Sequence, residues 1–579
     1  MKLNGGQLVV RALEDEGIHL AFGIPGTHNI ELYDAMAEST TLRPVLVTDE
    51  QSAGFMADAV WRATGQMACA NLVPGAGLTH ALSGVAEAFM DGIPMLVLGC
   101  GIRRDTDRAY QLHDIDQLAI AAPITKGTFR PASGADIYGV IRRACALARG
   151  GCPGPVMVEI PVDHYLFKHE VDAASFIEPP TLATPPLDGA AIDRAVELLS
   201  APGVRPLLYV GLGALGASGQ LVALAERLGA PVATTIQGKG VFPESHPLFL
   251  WNMLGAAAPP FVRKEAERST VMLAIGCRFG EVGTGSYGFS PPATLIHVDI
   301  EAAVIGRNFP ATVGLHADAA EAVAALLARL PSQPTHQDAG LPARIAGGRE
   351  EIRRGRLAKK SSGRVTPAVL LDALQRAMGP DTIFTSDSGN GTFLAMELLQ
   401  LDQPRSFLAP VDYSCMGYSV PAAIAAKLAR PEAPVVALAG DGAFLMTGLE
   451  LLTAANQGAA VAVFVLRDRE LAQIAQFQAT AFNRKAQSVL PDYQVAGIAA
   501  GLGIECLALD RDGDIERVIG EVQRITGEGR PVLVDTAIDY SEKTFFTRGV
   551  VSTNLGRLPW PDRLRFVGRA LLRHLPGGR

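Results

Sequence analysis

Short runs rich in β-branched and apolar residues alternate with longer helical patterns along almost the whole chain, and this rhythm restricts the fold more than any single motif does. Arg43–Thr48, Gln51–Thr64, Met67–Val73, Leu78–Met90 and Pro94–Leu98 read in turn as strand, helix, strand, helix and strand. Each helical crossover returns the chain to begin a strand in the same direction, so the alternation predicts parallel sheets with helices on both faces. The chain has 579 residues, more than one core organises, and domains of roughly 100–200 residues predict three. Residues 178–188, Glu-Pro-Pro-Thr-Leu-Ala-Thr-Pro-Pro-Leu-Asp, hold too much proline for a helix or a ladder and mark a linker. A second polar, proline-containing stretch runs from Pro331 to Arg364. The expected fold class is α/β, with three doubly wound parallel-sheet domains at 1–175, 188–332 and 360–540 and a tail at 541–579 rich in Arg and aromatic residues.

Bulk properties narrow the partners. No apolar run approaches the ~18–20 residues of a membrane span, and Met1-Lys2-Leu3-Asn4-Gly5-Gly6 lacks the pattern of a secretory signal. A cytoplasmic location without a membrane partner is expected. The seven cysteines, Cys69, Cys100, Cys145, Cys152, Cys277, Cys415 and Cys506, are odd in number and form no CxxC pair. Buried free thiols are therefore expected rather than a disulfide framework or a zinc site. A net charge of −8 leaves no broad basic footprint for nucleic acid.

Ligands of open parallel sheets sit at the carboxyl ends of strands, and several such ends carry acids. Ala433–Ala439 runs into Gly440-Asp441-Gly442-Ala443-Phe444 and then a helical pattern from Met446 to Ala455. The glycines let backbone N–H groups approach a phosphate, and the carboxylate between them suits a divalent cation. A lone GDG describes a turn equally well. Another buried strand, Val461–Leu466, ends in Arg467-Asp468-Arg469-Glu470 and brings a second carboxylate to a neighbouring strand end. Mg²⁺ is commonly held by one or two carboxylates together with substrate phosphates. Pro44–Thr48 ends in Asp49-Glu50 before the helix Gln51–Thr64; a glutamate there is also favoured by the helix dipole alone.

Together these segments resemble the thiamine-diphosphate enzymes, whose signature is GDG followed by a double Asn. Arg467-Asp468 stands at the double Asn. The resemblance implies Asp441, Asp468 and the backbone carbonyl of Glu470 as Mg²⁺ ligands, with Gly440, Gly442 and Ala443 beside the diphosphate. Asp468 adds charge where the family has an amide, and Arg467 and Arg469 are expected to offset it. The segment from Asp49 to Gly65 is similar to the family's HEQGAGHMAEGYARATG. That match makes Glu50 the acid that bonds the aminopyrimidine and lets the cofactor's imino group take the thiazolium proton.

Asp412–Ile424 resembles GLGTMGFGLPAAIGA of the acetolactate synthases, which implies Met416 as the wedge beneath the cofactor and the Ser414 carbonyl as a contact. Gly389, Asn390 and Gly391 replace a Gly-Gln-His-Gln loop at the diphosphate. Phe22–Asn29 resembles the FGxPG loop bordering the reaction centre, bringing Pro25, Gly26, Thr27 and His28 there together with Gly75. His28 also matches benzaldehyde lyase, which the chain resembles at Gly5–Arg11 and Ile115–Lys126. Leu112-His113 stands where acetolactate synthases have Phe-Gln, and Phe477 where they have a pocket tryptophan; Gln473 completes the expected substrate pocket.

Gly211-Leu-Gly213-Ala-Leu-Gly216 and the segments Gln237–Pro247 and Gly276–Phe279 resemble a central domain that carries FAD in the acetolactate synthases. The stretch Trp251–Gly255 runs into Ala-Ala-Ala-Pro-Pro, unlike the flavin-binding members, so FAD is a disfavoured alternative. The resemblance thus implies pyrimidine-binding, central Rossmann-like and diphosphate-binding domains. It also implies a homodimer or homotetramer, because the family joins the Glu50 domain of one chain to the metal ligands of another. The expected activity is acetolactate synthase-like: ylid attack on a 2-oxo acid, loss of CO₂, and protonation of the carbanion-enamine or its capture by a second carbonyl compound. An acyloin lyase or a decarboxylase of a longer 2-oxo acid is the alternative favoured by His28, His113 and Phe477. A non-catalytic flavin- or nucleotide-binding relative and a nicotinamide dehydrogenase complete the set.

Overall fold

The computed structural model describes residues 1–178, 183–359, 361 and 363–574. The expected alternation produces three six-stranded sheets, each parallel throughout, besides a short antiparallel ribbon of Lys2–Asn4 with Lys168–Glu170. The first sheet contains β1 (Leu20–Gly23), β2 (Arg43–Leu46), β3 (Cys69–Leu72), β4 (Met95–Gly101), β5 (Thr128–Phe129) and β6 (Pro155–Pro161), in the order β2-β1-β3-β4-β6-β5. Strands β3, β4 and β6 are buried along their whole length, as expected where helices cover both faces.

The second sheet contains β7 (Pro206–Val210), β8 (Val232–Thr234), β9 (Phe249–Asn252), β10 (Val271–Ile275), β11 (Thr294–Asp299) and β12 (Val313–His316). Its order, β9-β8-β7-β10-β11-β12, is that of doubly wound nucleotide folds and opens a crevice between β7 and β10. The third sheet contains β13 (Ile383–Ser386), β14 (Phe407–Leu408), β15 (Val435–Gly440), β16 (Ala462–Leu466), β17 (Glu505–Leu509) and β18 (Val532–Thr536). Its order, β14-β13-β15-β16-β18-β17, repeats that of the first.

The helices that matter for the site are α1 (Glu50–Thr64), α2 (Ala76–Asp91), α3 (Leu341–Ala358), α4 (Asn390–Leu398), α5 (Ser419–Ala429), α6 (Asp441–Thr447), α7 (Ala472–Phe482), α8 (Phe545–Arg557) and α9 (Trp560–His574). Asp49 caps α1 by accepting from Gln51 N, and Gly65 ends it at φ +82°. Helices α1 and α2 meet at Gly54 and Gly84, where a Cβ on Gly84 would lie 2.6 Å from the Gly54 Cα, so only glycine allows this approach. One continuous core joins Phe55, Met56 and Val60 of α1 to Tyr418 and to Val420 and Ile424 of α5. The first and third sheets are thereby fastened together within one chain.

Two expectations change. The stretch from Pro331 to Arg364 is not only a separator but contains α3, held by Arg344 on Glu265 and Asp338 and by buried Leu341 and Ile345. Too few of its positions are buried to give an apolar period. The helical pattern from Met446 to Ala455 is divided: α6 starts at Asp441 itself, and a 3₁₀ turn at Gly448–Glu450 precedes a separate helix at Leu451–Gln457. At that break Gly448 packs against the Phe444 ring. The proline-rich run at 178–188 lies partly outside the described residues, at 179–182. No described helix is long and apolar enough to cross a membrane.

Candidate active site

Strand β15 delivers Asp441 to the first position of α6, where it is almost fully buried. Its Oδ1 accepts from Gly442 N at 2.8 Å and its Oδ2 from Arg469 N at 2.7 Å. Strand β16, paired with β15, delivers Asp468 just beyond its end. Burial pushes the Asp441 carboxyl up to about 6. Burial and then the charge of Asp441 push Asp468 up to about 7. Neither carboxylate forms an ion pair among the described residues. Arg467 is held bidentately by Asp535 at 2.6 and 2.9 Å, and Arg469 pairs with Asp492 at 3.3 Å. Neither arginine pairs with Asp468, because both guanidiniums have other carboxylates within reach, but the charge of Arg467 still lowers the pKa of Asp441.

Asp441 and Asp468 line a cavity of about 150 Å³ with Gly389, Asn390, Gly391, Met416, Gly440, Gly442, Ala443, Glu470, Gln473 and Tyr540. Two polar groups here are buried without a hydrogen-bond partner, Asn390 Oδ1 and the Tyr540 hydroxyl. Such groups are costly unless something meets them. The start of α4 at Asn390 adds free backbone N–H groups. A buried and a half-buried acid with no lysine or arginine partner among the described residues, orphaned polar atoms and a helix N-terminus fit a magnesium-diphosphate group. The Glu470 side chain is engaged by Lys485, so the backbone carbonyl is the part of this residue left for a metal.

The loop carrying Ser414 and Met416 is held against this cavity. Asp387, pushed up to about 6 by burial, accepts from Tyr418 N at 2.7 Å and from the Ser419 hydroxyl. Ser388 and Ser414 share a hydroxyl hydrogen bond of 2.7 Å, with Ser414 at φ +66°. Phe477 lies one turn beyond Gln473 on α7 and is not part of the cavity lining.

A second cluster forms at the strand ends of the first sheet. Glu50 is 8% exposed, and its Oε2 lies 3.4 Å from Nδ1 of His80 on α2. Val73 connects this acid to the loop after β1, since a Cβ on Gly26 or on Gly77 would each lie 2.6 Å from a Val73 methyl. A Cβ on Gly77 would also lie 3.1 Å from Glu50 Oε1, so the glycine leaves the carboxylate its space. Gly26 N donates to Asn29 Oδ1 at 2.7 Å, which fixes the loop after Pro25. Thr27 Oγ1 meets His28 Nδ1 at 3.2 Å, and the His28 and His113 rings meet edge to face at 5.4 Å. His113 takes φ +66° and packs on Gly75, whose N–H donates to Gln117 Oε1 at 3.3 Å. Burial, then the neighbouring His113, lowers the pKa of His28, so its imidazole is neutral at neutral pH.

The structure thus sorts the expected residues into two groups. Gly389 to Gly391, Met416, Gly440 to Ala443, Asp468, Glu470 and Gln473 share the cavity, while Pro25, Gly26, Thr27, His28, Glu50, Gly75 and His113 do not line it. Asp387, at the head of the loop 387–392 expected at the diphosphate, also lines the cavity, while His80 and Tyr540 are additions that sequence reasoning passed over. In the second sheet a cleft of about 580 Å³ lies at the expected crevice, lined by Gly211, Gly213, Gly276 and Asp299. A Cβ on Gly213 would lie 2.9 Å from the Gly276 Cα, so glycines here serve close loop packing as well as any ligand.

Comparison with known proteins follows the same division. Residues 3–120 match the thiamine pyrophosphate enzyme N-terminal TPP binding domain, residues 192–326 its central domain and residues 387–536 its C-terminal TPP binding domain. An acetolactate synthase of Mycobacterium bovis is 32% identical over 554 residues, covering 92% of this chain and 88% of the relative. The acetolactate synthase isozyme 3 large subunit of Escherichia coli is 30% identical over 563 residues, covering 94% and 96%. A probable acetolactate synthase large subunit of Methanocaldococcus jannaschii is 30% identical over 564 residues, covering 93% of each. The chain belongs to the thiamine pyrophosphate enzyme family and is an acetolactate synthase-like, thiamine-diphosphate-dependent carboligase/decarboxylase.

Proposed function

We propose that this enzyme decarboxylates a 2-oxo acid and transfers the resulting acyl-anion equivalent to a proton or to a second carbonyl compound, as an acetolactate synthase does. The observation that carries the reading is the pair of carboxylates Asp441, buried, and Asp468, half-buried, which have no lysine or arginine partner among the described residues and share a cavity with Met416. When bound, thiamine diphosphate supplies a nucleophilic thiazolium carbon and an electron sink for the carbanion left by CO₂. Asp441, Asp468 and the Glu470 carbonyl would hold Mg²⁺, while Asn390 and the start of α4 would receive the diphosphate. Met416 would support the cofactor. Glu50 would hydrogen-bond the aminopyrimidine ring and so hold the proton that passes to and from it. Neutral His28, with His113 behind it, faces the substrate carbonyl and exchanges a proton there.

The two clusters belong to different cofactors in this reading. Large apolar side chains stand exposed near both, Ile30 and Leu46 beside the Glu50 cluster and Leu445, Met446 and Leu449 on and after α6. A second copy that covers them brings Glu50 of one chain to the cavity of the other, which makes the functional unit a homodimer or a pair of homodimers. No step is assigned to the central cleft or to FAD.

The His28–His113 pair favours a second reading, cleavage of an acyloin or decarboxylation of a longer 2-oxo acid. CO₂ release and product mass from pyruvate, larger 2-oxo acids and acyloins, with thiamine diphosphate and Mg²⁺, distinguish the two. Acetolactate from pyruvate, lost in Glu50→Ala, is the expected result. Aldehyde from acyloins without turnover of any 2-oxo acid overturns the first reading in favour of the second.

A further inference from the structure

The loop from Val411 to Tyr418 belongs to the third domain, but much of its support comes from the first. Glu87, on α2 and completely buried, accepts from Val411 N at 3.2 Å with Oε1 and from Cys415 N at 3.0 Å with Oε2. One turn further on, Asp91 Oδ1 accepts from Asp412 N at 3.3 Å. Two carboxylates of one helix therefore bind three amides of a five-residue segment, 411 to 415. That segment leads through Ser414, at φ +66°, to Met416 and to Gly417 at φ +89°. A left-handed backbone at a residue with a side chain persists only where its surroundings hold it.

We propose that Glu87 is a positioning residue for the cofactor, setting through its two backbone hydrogen bonds the shape of the loop that presents Ser414 and Met416. The proposal rests on the reading of Met416 as the cofactor's support.

The groups around Glu87 make its charge matter. On its own helix it faces Asp91; from α1 it faces Asp58 and Arg62; from the third domain it faces Cys415 and Tyr418, while Asp412 of that domain meets Asp91 and Arg278 of the second. Arg62 is already shared by Asp58, at 2.6 and 3.1 Å, and Asp91, at 2.9 Å, and Arg278 is paired with Asp412 at 2.8 Å. Among the described residues Glu87 has no arginine in direct contact, and the loop amides take that place. Burial, then the charge of Asp91, pushes its carboxyl up from the ordinary glutamate range, against the opposing pull of Arg62 and the Cys415 amide.

An ionised carboxylate accepts at both oxygens, whereas a protonated one turns an oxygen into a donor facing an amide donor. The ionised form holds the loop and the protonated form releases part of it. Because the folded-state pKa is raised, ionisation costs global stability, and that cost is incurred as pH rises through it. Cofactor positioning and thermal stability therefore move in opposite directions with pH. A purely structural role would move them together.

The test uses the full chain with Mg²⁺ and thiamine diphosphate, reading three quantities in wild type, Glu87→Gln and Met416→Ala. These are the cofactor Kd by fluorescence quenching, deuterium exchange at the cofactor's C2, and Tm against pH from about 6 to about 9. Glutamine keeps the shape, accepts one amide and does not titrate. The expected result is C2 exchange slowed by about ten- to a hundredfold in Glu87→Gln, with its rise toward alkaline pH flattened and Tm at high pH equal to or above wild type. Wild-type exchange and pH profile in Glu87→Gln, or a loss matched by a drop in Tm at every pH, overturns the proposal. An impaired Met416→Ala beside an unaffected Glu87→Gln sinks this inference alone; an unaffected Met416→Ala sinks the reading of the loop beneath it.

Discussion

The first and third sheets share one strand order, yet their strand ends are prepared for opposite tasks. In the third, Asp387, Asp441 and Asp468 are all pushed above the ordinary carboxylate range, chiefly by burial, and Asn390 and Tyr540 hold unmatched polar atoms. In the first, Glu50 stands beside His80 with glycines leaving space around it, and the His28 and His113 rings meet edge to face in neighbouring loops. One end gathers carboxylates and polar atoms that have no partner within the described chain. The other gathers an acid and imidazoles. In the proposed function the same scaffold serves as a binding half-site or a reacting half-site, according to which side chains the strand ends carry.

The largest expected effect separates the two ends outright. Asp441→Ala should weaken Mg²⁺-dependent cofactor binding at least about 100-fold. Glu50→Gln should bind the cofactor nearly as wild type does but lower cofactor-dependent turnover by about 10²–10⁴-fold. Cofactor titration and CO₂ release measure both. Equal loss of binding in the two variants would erase the division of labour.

A smaller effect sharpens the reacting end. His28→Ala and His113→Ala should each reduce kcat/KM by about 10–100-fold and alter the product ratio, with cofactor Kd unchanged. Steady-state kinetics with product analysis tests this, and a change confined to Kd would move both residues to the binding end.

The smallest effect concerns charge at the binding end. Asp468 has its folded pKa raised to about 7, so its contribution favours the folded state at low pH and is lost as pH climbs from about 4 through about 7. The cofactor-free protein should therefore lose about 1–3 kcal/mol over that range relative to Asp468→Asn. Mg²⁺ with thiamine diphosphate should remove the difference. Parallel Tm–pH curves for the two proteins without cofactor would show that Asp468 is already neutralised by the chain.

These contrasts also explain what could be read in advance. Pro206–Val210 matches its strand residue for residue, and Glu50, Asp441 and Asp468 stand where strand, acid and helix follow one another locally. Such signals survive within a dozen residues of chain. His80 acquires meaning only because α2 returns to α1, and Glu87 because a loop more than three hundred residues later settles on it. Helix α3 was unreadable for another reason: Leu341, Ile345 and Arg356 are its only buried positions, and its many arginines resemble a solvated linker. The neighbour of Arg467 follows from which strand pairs with β16, a pairing that local sequence does not reveal.

Central to the proposed function is that the reacting end of one chain serves the binding end of another. Subunit mixing tests it directly: Glu50→Gln chains and Asp441→Ala chains, each inactive alone, are unfolded and refolded together or co-expressed, and turnover is measured with saturating Mg²⁺ and thiamine diphosphate. Random pairing gives mixed dimers with one intact site each, so activity should recover to about one quarter of wild type. A mixture no more active than its two parents, with mixed dimers shown to be present, would contradict the shared site and place Glu50 and Asp441 in the service of a single chain.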